Sequence, residues 1–366
     1  MGVILLSCKN FSQMKEYRYN TGATCAPGYG IHLYAGVFKS KVGDIVPIYD
    51  ITLNGPWGSG GSSNVIGDGF EPLPDRLKVG FYSETEDKFF EGEFPLPYLE
   101  LEKLFEQEIE DPFYKDKTFK DTQSGKTLKY MKYDELSIGI TLGGVVTVWI
   151  SGQQSKIQKQ IARFKVNETK VKWKDVFENG ERAESLEYNM EKIFSEKIKN
   201  EIITNTLPFT LWDVYGEKYN WRYLIQVPSG GKIENIFTNM INAEQESKYK
   251  DSPTLVNDIY ALRAIPYNVE MKLQDHNGKK YIAWIVFTES ENYLKNIYKG
   301  GSSVNKYPDD FRKEEIFKVF QTFERNKPID IIYVVDETYK NIKIIIKQDN
   351  KEVLLSKITV WLMDDN

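Results

Sequence analysis

Cysteine and histidine are scarce in this sequence of 366 residues, which contains two of each. Two cysteines cannot form a disulfide framework, although a single bridge between Cys8 and Cys25 is an alternative in an oxidising compartment. The four side chains show neither CxxC nor HxxxH spacing, which argues against a structural zinc site. The sequence therefore predicts no metal and no cofactor.

Long apolar runs and basic stripes are also absent. No segment approaches the roughly 20 apolar residues that a membrane-spanning helix needs. The net charge is −5, and lysines are interspersed with acidic residues along the chain. Because no basic stripe is available to neutralise a phosphate backbone, nucleic acid is not expected as a partner.

Familiar catalytic signatures are missing as well. The sequence has no GxSxG motif, no HExxH motif and no cysteine–histidine pair, so we expect no enzyme. The alternative is a glycoside hydrolase built on Glu91 and Glu93, which lie about 7 Å apart along one face of a strand. With 53 acidic residues in the chain, such pairs arise by chance, and a solvated strand face is the favoured interpretation.

What the sequence does contain is a large set of apolar and aromatic residues. Hydrophobic residues make up 41% of the chain, with 23 tyrosines and 20 phenylalanines. This content is typical of a globular chain and excludes a disordered one. The aromatic residues favour strands, and the length allows two domains with a substantial core.

The clearest structural unit spans residues 71–107. Leu77, Val79 and Phe81 alternate with polar or small residues, which is the period-two pattern of a half-buried strand. A polar turn leads into a return strand over 89–94, and the prolines that follow it close the strand. A helix is predicted next, since apolar residues recur at helical spacing. Those residues are Leu99, Leu101, Leu104 and Phe105.

A second stretch, residues 264–298, repeats the order strand, turn, strand, helix. Pro266 aligns with Pro74 at an offset of 266 − 74 = 192, and the sequence DHNG over Asp275–Gly278 is a turn signal. The recurrence indicates an internal duplication, with chance similarity as the alternative. The apolar residues that mark the first strand and the helix of this copy are Val269, Met271, Leu273, Tyr293, Leu294, Ile297 and Tyr298.

Three more strands are predicted after each copy. They span 136–140, 145–150 and 161–166 after the first copy, and 329–335, 342–346 and 353–362 after the second. The sequence therefore predicts an α+β fold of mostly antiparallel sheet with a few packed helices, arranged as two duplicated halves.

Four segments follow from these patterns. Residues 1–8 are interpreted as the remnant of a lipoprotein signal, 9–180 as an N-terminal α+β half and 206–366 as a C-terminal α+β half. The intervening 181–205 is predicted to be a linking helix, because apolar residues recur with charges between them. Its apolar residues are Leu186, Met190, Ile193, Phe194 and Ile198.

The first eight residues, MGVILLSC, resemble the end of a bacterial lipoprotein signal, in which a small residue precedes the cysteine that is lipidated. The apolar run is shorter than the roughly 7–15 residues of such a signal and lacks a basic start, so either the true start codon lies upstream or the match is accidental. The prediction is a mature chain that begins at Cys8 and is held at a membrane by acyl chains. A buried N-terminal strand is the alternative.

Large aromatic residues supply the binding candidates. The segment 209–227 is predicted to place Trp212, Tyr215 and Tyr219 on one helical face, followed by a strand. An exposed aromatic platform would bind a sugar or a peptide, whereas packing in the core is the favoured interpretation of large aromatic residues at regular spacing. The candidates are Trp57, Trp212, Tyr215, Tyr219, Trp221 and Trp284.

Several stretches of the chain resemble the bacterial lipoprotein family catalogued as domain of unknown function 2931. They are APGYGIHLYAGVF, LPDRLKVGFYSETEDKFFEGEFPLP, IGITLGGVVTVWISG and PFTLWDVYGEKYNWRY. The resemblance runs from Tyr17 to the end of the chain. It implies an envelope protein of Gram-negative bacteria, and it supplies no activity and no catalytic residues.

The function expected from these observations is that of a non-catalytic, lipid-anchored protein of the bacterial envelope, periplasmic or outer-membrane. It would act as a binding or interaction module with a protein partner, in a toxin-neutralising or adaptor role. The alternatives are a glycan-binding module and the glycoside hydrolase described above. The sequence specifies neither the ligand nor the oligomeric state.

Overall fold

A computed structural model describes most of the chain. The described residues are 15–41, 43–48, 51–55, 57–58, 62–64, 70–107, 118–120, 127–129, 133–152, 156–249, 255, 258–289 and 310–365. Cys8 and the helix predicted at Tyr293–Tyr298 lie outside them.

Strands make up most of the described structure. The first are β1 (Glu16–Arg18), β2 (Asn20–Cys25), β3 (Ile31–Ser40), β4 (Gly43–Pro47), β5 (Ile51–Leu53), β6 (Ser62–Asn64), β7 (Phe70–Pro72), β8 (Arg76–Ser83), β9 (Lys88–Pro95), β10 (Thr118–Lys120), β11 (Thr127–Lys129), β12 (Glu135–Thr141), β13 (Val145–Gly152), β14 (Ile157–Lys165) and β15 (Asn167–Thr169). The others are β16 (Tyr219–Gln226), β17 (Lys232–Met240), β18 (Gln245–Tyr249), β19 (Ala261–Arg263), β20 (Pro266–Gln274), β21 (Lys280–Val286), β22 (Ile329–Val335), β23 (Ile342–Gln348), β24 (Lys351–Leu354) and β25 (Thr359–Asp364).

The helices are short. They are α1 (Tyr98–Glu106), α2 (Trp173–Val176), α3 (Arg182–Tyr188), α4 (Glu196–Ile203), α5 (Leu211–Tyr215) and α6 (Glu315–Phe320), with 3₁₀ turns at Leu142–Gly144 and Phe311–Lys313 and a π-helical turn at Asn189–Ile193. The fold is therefore α+β, and the predicted class is confirmed.

The strands from β2 to β15, apart from β7, β10 and β11, form two layers. β7 pairs with β1, and β10 with β11, in separate two-stranded sheets. One layer has the order β6-β2-β12-β13-β14, in which β2 and β12 are parallel and the other neighbours are antiparallel. The other layer has the antiparallel order β15-β9-β8-β3-β4, with β5 also paired to β3. The core between them holds Leu77, Val79, Phe81, Ile138 and Val148, each at most 1% exposed.

Strands β16 to β25 are connected in the same order. One layer runs β19-β16-β22-β23-β24, again with one parallel pair, β16 and β22. The other runs β25-β21-β20-β17-β18, and all of its neighbours are antiparallel. Val269, Met271, Leu273, Ile331 and Ile344 are buried between these layers.

The two sets of strands meet where β14 pairs with β18, so that a ten-stranded sheet crosses the molecule. Gln158 is the β14 residue that pairs with Gln245. The buried side-chain amide of Gln158 donates to the carbonyl oxygens of Gly58 at 2.6 Å and Ala243 at 2.8 Å. This one amide therefore ties the first set of strands to the turn that precedes β18.

Glycine is required at two places in the first set. Gly139 of β12 lies under the rings of Trp149 and Trp57, and a Cβ there would lie 2.3 Å from the first ring and 2.8 Å from the second. Gly143 and Gly144 have φ of +73° and +78°, a backbone conformation that favours glycine, and they lie in the turn between β12 and β13.

The predicted linking helix is not continuous. α3 and the π-helical turn are separated from α4 at Phe194, because the backbone of Phe194 is extended, with ψ of 137°. Ser195 then starts a new helix, and its side chain accepts from the N–H of Ile198 at 3.4 Å. Ser195 acts as an N-cap, a role that the apolar periodicity alone did not show.

Two further expectations were wrong in detail. The strand predicted over 353–362 is divided into β24 and β25, which belong to different sheets. The helical face predicted for Trp212, Tyr215 and Tyr219 ends early, because α5 stops at Tyr215 and Tyr219 is the first residue of β16. Gly216 is the residue at which that helix ends.

We predict that Gln158→Leu lowers the free energy of unfolding by about 1–3 kcal/mol, because two buried carbonyl oxygens lose their donor. Urea denaturation followed by circular dichroism measures the change. The matched control is Gln160→Leu on the same strand, which should change stability by less than about 0.5 kcal/mol. Equal losses in the two variants would contradict the importance given to the Gln158 amide.

Candidate functional site

Trp57 and Trp212, two of the predicted aromatic candidates, lie together in the core. Both are at most 5% exposed. The Trp57 ring is 4.8 Å from the ring of Trp149 and 6.3 Å from that of Trp212, and Tyr29 packs edge-on against Trp212 at 5.5 Å. These rings fill the space where the two sets of strands meet, so they offer no surface to a ligand.

Tyr215, Tyr219 and Trp221 are also buried. Tyr215 accepts a hydrogen bond from the N–H of Phe311 at 2.9 Å, and Tyr219 accepts one from the Gln321 side chain at 2.8 Å. The indole N–H of Trp221 donates to the Ala264 carbonyl at 3.0 Å. Each of these polar groups bonds to a neighbouring element of the fold. For residues 209–227, this favours core packing over ligand binding.

Trp284 is the exception among the candidates. It lies on β21 with 37% of its surface exposed. Its partner in the neighbouring edge strand β25 is Trp361, so two tryptophans occur side by side on the outer face of the ten-stranded sheet. This is the place where an aromatic contact with a sugar ring is geometrically available.

The carboxylate pair considered for catalysis is exposed and partly neutralised. Glu93 accepts from Lys39 at 3.1 Å and lies 3.6 Å from Arg76. The hydrogen bond from Lys39 holds the pKa of Glu93 below its ordinary value, whereas a general acid needs a raised pKa. Glu91 is exposed on the same strand, and the arrangement is that of a solvated strand face.

The charged residues Asp213 and Arg222, which the sequence presents close together, do not pair with each other. Asp213 bonds to Arg163 of β14. Arg222 bonds to Asp330 of β22 at 2.7 Å, and its guanidinium lies 4.3 Å from the centre of the Tyr260 ring. Both ions therefore link separate elements.

A buried ion network lies on β18 and β19. Arg263 donates to both carboxylate oxygens of Glu246, at 2.6 and 3.0 Å, and lies 2.9 Å from Asp258. Lys248 bonds to Asp258 and lies 3.4 Å from Glu246. Burial alone would raise the pKa of Glu246, but the charge and hydrogen bonds of Arg263, with the charge of Lys248, hold it below its ordinary value. Two cations and two anions balance, which is the arrangement that buried charges require.

The candidate functional site is a groove between α6 and β24, which we call the α6–β24 groove. Its volume is about 330 Å³. The groove lies at the open margin of the core, since the neighbouring helix residues Ile316, Phe317 and Phe320 are buried. The lining residues are Glu315, Lys318, Val319, Thr322, Lys351, Val353 and Lys357.

Positive charge dominates the lining of this groove. Glu315, its acidic residue, accepts from the backbone N–H groups of Ser356 at 2.7 Å and Lys357 at 2.6 Å. Lys351 donates to the Thr322 hydroxyl at 2.6 Å. Glu315 keeps its negative charge when backbone N–H groups bond to it, but three lysines against one glutamate give the lining a net charge of +2 (3 − 1), which attracts anions.

The outer edge of β24 lies beside the groove, and three of the four residues of this strand are exposed. Leu355 donates its N–H to the Ile344 carbonyl at 2.9 Å, which fixes the antiparallel register of β23 and β24. Hydrogen-bonding direction alternates along such a strand, so the N–H and C=O groups of Glu352 and Leu354 point away from β23. Within the described residues no strand pairs with this edge.

The sequence did not predict the α6–β24 groove. Lys357 falls in the strand predicted over 353–362, whereas Lys318 lies 33 positions before Lys351 (351 − 318), and no local pattern brings these lysines together. An available signal was the alternation of charge at Lys351 and Glu352 at the start of a short strand, which is typical of an edge strand.

Two properties of the described residues bear on other classes of site. No three histidine, cysteine, aspartate or glutamate side chains in the described ranges are placed to hold a metal ion together. None of the helices in this part of the chain is both long enough and apolar enough to cross a membrane.

Comparison with known proteins identifies a family. Residues 9–210, more than half of the chain, match the family described as "Protein of unknown function (DUF2931)". The chain therefore belongs to this family, as the resemblance implied, although the match ends at residue 210 and the resemblance was expected to reach the last residue. No curated protein and no solved structure matches the chain.

We predict that Arg263→Met lowers the free energy of unfolding at pH 7 by about 3–5 kcal/mol, because the buried Asp258 and the partly buried Glu246 are left with Lys248 as the one remaining cation of the network. The folded-state pKa of Glu246 is depressed in the native protein. Its contribution is therefore present above the ordinary glutamate pKa of about 4.3 and is lost as the pH falls through the depressed value. In Arg263→Met, Lys248 alone faces the two carboxylates, so Glu246 is protonated more readily than in the native protein. The difference in unfolding free energy between variant and native protein should therefore narrow from pH 7 to pH 4.

Urea denaturation at the two pH values measures this gap. The control is Lys327→Met, which removes an exposed pair with Glu324 and should cost less than about 0.5 kcal/mol. A gap that stays constant with pH would contradict the assigned role of Arg263.

Proposed function

We propose that the protein is a lipid-anchored component of the bacterial cell envelope that acts by binding a partner and not by catalysis. The observation that carries this proposal is the open edge of β24 beside the α6–β24 groove. Outward-pointing backbone groups, three lysines and apolar side chains occur together there. Sheet edges of this kind bind extended segments of other proteins.

The other candidate features favour binding over glycoside hydrolysis. Glu93 is held ionised by Lys39, which is unfavourable for an acid that must donate a proton. The buried carboxylates Glu246 and Asp258 are matched by Arg263 and Lys248. These groups are occupied in structural ion pairs.

Anchoring through Cys8 rests on the sequence. The apolar run before Cys8 and the mostly polar residues 9–14 suit an acylated cysteine followed by a tether. Lys15 is the first described residue, and β1 starts one residue later. In the proposed protein, the acylated Cys8 lies eight residues before the start of β1 (16 − 8).

The two sets of strands are proposed to derive from a duplicated unit. The strand pairing repeats, including the single parallel pair in each set. The offset of 192 found in the sequence also relates buried residues of β8 and β20. These are Leu77, Val79 and Phe81 in the first strand and Val269, Met271 and Leu273 in the second.

A glycan-binding role is the second candidate. It is favoured by the exposure of Trp284 and by the position of Trp361 opposite it. Aromatic faces of this kind stack on apolar faces of ligands. The α6–β24 groove is preferred to the two tryptophans as the binding site, because it combines backbone donors, charged side chains and apolar contacts.

We predict that the full-length protein expressed from its native gene incorporates an alkyne-labelled palmitate analogue and that Cys8→Ala abolishes labelling. The acyl chain is attached through the new N-terminal cysteine of a processed lipoprotein. Gel fluorescence after click reaction measures the label. Cys25→Ala is the matched control, since Cys25 is a buried free thiol and its loss should leave labelling intact. Unchanged labelling of Cys8→Ala would exclude the anchor.

We further predict that cross-linking of the anchored protein in its native envelope captures one protein at a stoichiometric ratio. Affinity purification followed by mass spectrometry measures the ratio, and Cys8→Ala provides the unanchored control. Recovery of no protein, together with retention on a polysaccharide matrix that Trp284→Ala removes, would replace the protein-binding proposal with glycan binding.

A further inference from the structure

The edge of β24 has a counterpart in the first set of strands, the edge of β14, which is paired with another strand. β14 and β24 occupy equivalent positions, because each is the last strand of a layer in which a parallel pair, β2–β12 or β16–β22, is followed by two antiparallel strands. β14 is covered on its outer side by β18, which pairs with it at Gln158 and Gln245. The edge in the first set is thus a position that accepts an added strand.

Contacts around that junction show what stabilises an added strand. Ser247 of β18 donates to the Lys156 carbonyl at 2.9 Å. The carboxylate of Glu244 accepts from the backbone N–H of Gln160 at 3.1 Å and from Lys218 at 2.8 Å. An acidic side chain next to the incoming strand therefore contributes to the pairing.

No strand of the described ranges pairs with the equivalent edge of the second set, and three lysines line the groove beside it. Glu352 and Leu354 direct their backbone groups outward, as derived above from the Leu355 hydrogen bond. On the side facing α6, an added strand would pass Lys318, Lys351 and Lys357 of the groove. Alternate residues of that strand would point toward these lysines.

The apolar side chains at this edge favour a strand with alternating character. Val319 and Val353 line the groove between the lysines. Leu354 lies on the opposite face of β24 with 57% of its surface exposed. An incoming strand can cover these side chains with apolar residues of its own.

We propose that β24 binds an extended acidic segment of a protein partner as an additional antiparallel strand, with acidic side chains placed against Lys318, Lys351 and Lys357. This inference rests on the proposed function and names the chemistry of its partner. Backbone pairing to Glu352 and Leu354 provides the docking, and the lysines select the acidic sequence.

The test uses the soluble folded chain and an eight-residue peptide that alternates glutamate and valine, with the glutamates replaced by lysine in a second peptide. The acidic peptide should bind at least about tenfold more tightly than the basic one at low salt, and high salt should weaken it. Fluorescence anisotropy measures both affinities. Equal binding of the two peptides, or no binding of the acidic one, would overturn the proposal.

Two variants separate charge from backbone pairing. Lys318→Glu with Lys351→Glu should weaken the acidic peptide by about tenfold or more, whereas the matched pair Lys343→Glu with Lys347→Glu on the opposite face of β23 should change it by less than about twofold. Glu352→Pro removes an outward N–H without removing a bond to β23, and it should abolish binding. Equal effects of the two charge-reversed pairs would overturn the assignment of the groove.

Hydrogen exchange supplies a readout that does not depend on affinity. The amides of Glu352 and Leu354 should gain protection when the acidic peptide is added. Protection confined to other strands would overturn the proposal while leaving the broader binding role in place. Self-association of the chain that Glu352→Pro abolishes, seen by analytical ultracentrifugation, would assign the edge to a second copy and overturn the acidic partner.

Discussion

The edge of β14 is the place on which the architecture depends, because an open strand edge leaves backbone donors and acceptors without partners. β18 covers this edge, and the Gln158 amide fixes the contact through the Gly58 and Ala243 carbonyl oxygens. The junction turns two separate five-stranded layers into one ten-stranded sheet. Beneath it, Trp57, Trp149 and Trp212 pack against one another.

The need of an edge strand for backbone partners also applies to β24, the strand on which the proposed function rests. β14 is covered by β18, whereas β24 has no strand on its outer side in the part of the chain that the structure describes, although both strands occupy the same place in the strand order. β24 has four residues and includes Lys351 and Glu352, a length and charge that limit uncontrolled pairing with other chains. An edge protected in this way remains available to a segment of complementary charge. The buried ions on β18 and β19, by contrast, are matched within the chain and contribute to the stability of the covered side.

Much of the fold was predictable because the sequence marks half-buried strands directly. The alternation of Leu77, Val79 and Phe81, and of Val269, Met271 and Leu273, identified the two central hairpins. The break at Phe194 was missed because a local cap, Ser195, overrides a continuous apolar stripe. The groove was missed for a different reason. It is formed by side chains of α6 and β24 whose proximity depends on the sheet and not on local spacing. Local spacing also fails for the aromatic candidates, because it does not distinguish a buried tryptophan from an exposed one.

The most direct measurement places a photoreactive amino acid at Leu354, on the open edge, and in a second protein at Lys343, on the outer face of β23. Both anchored proteins are irradiated in the native envelope, and the cross-linked peptides are sequenced by mass spectrometry. If β24 receives an extended acidic segment, position 354 should give one abundant cross-link to an acidic stretch of a single protein, and position 343 should give little. Cross-links of equal yield from both positions, or none from position 354, would contradict the account.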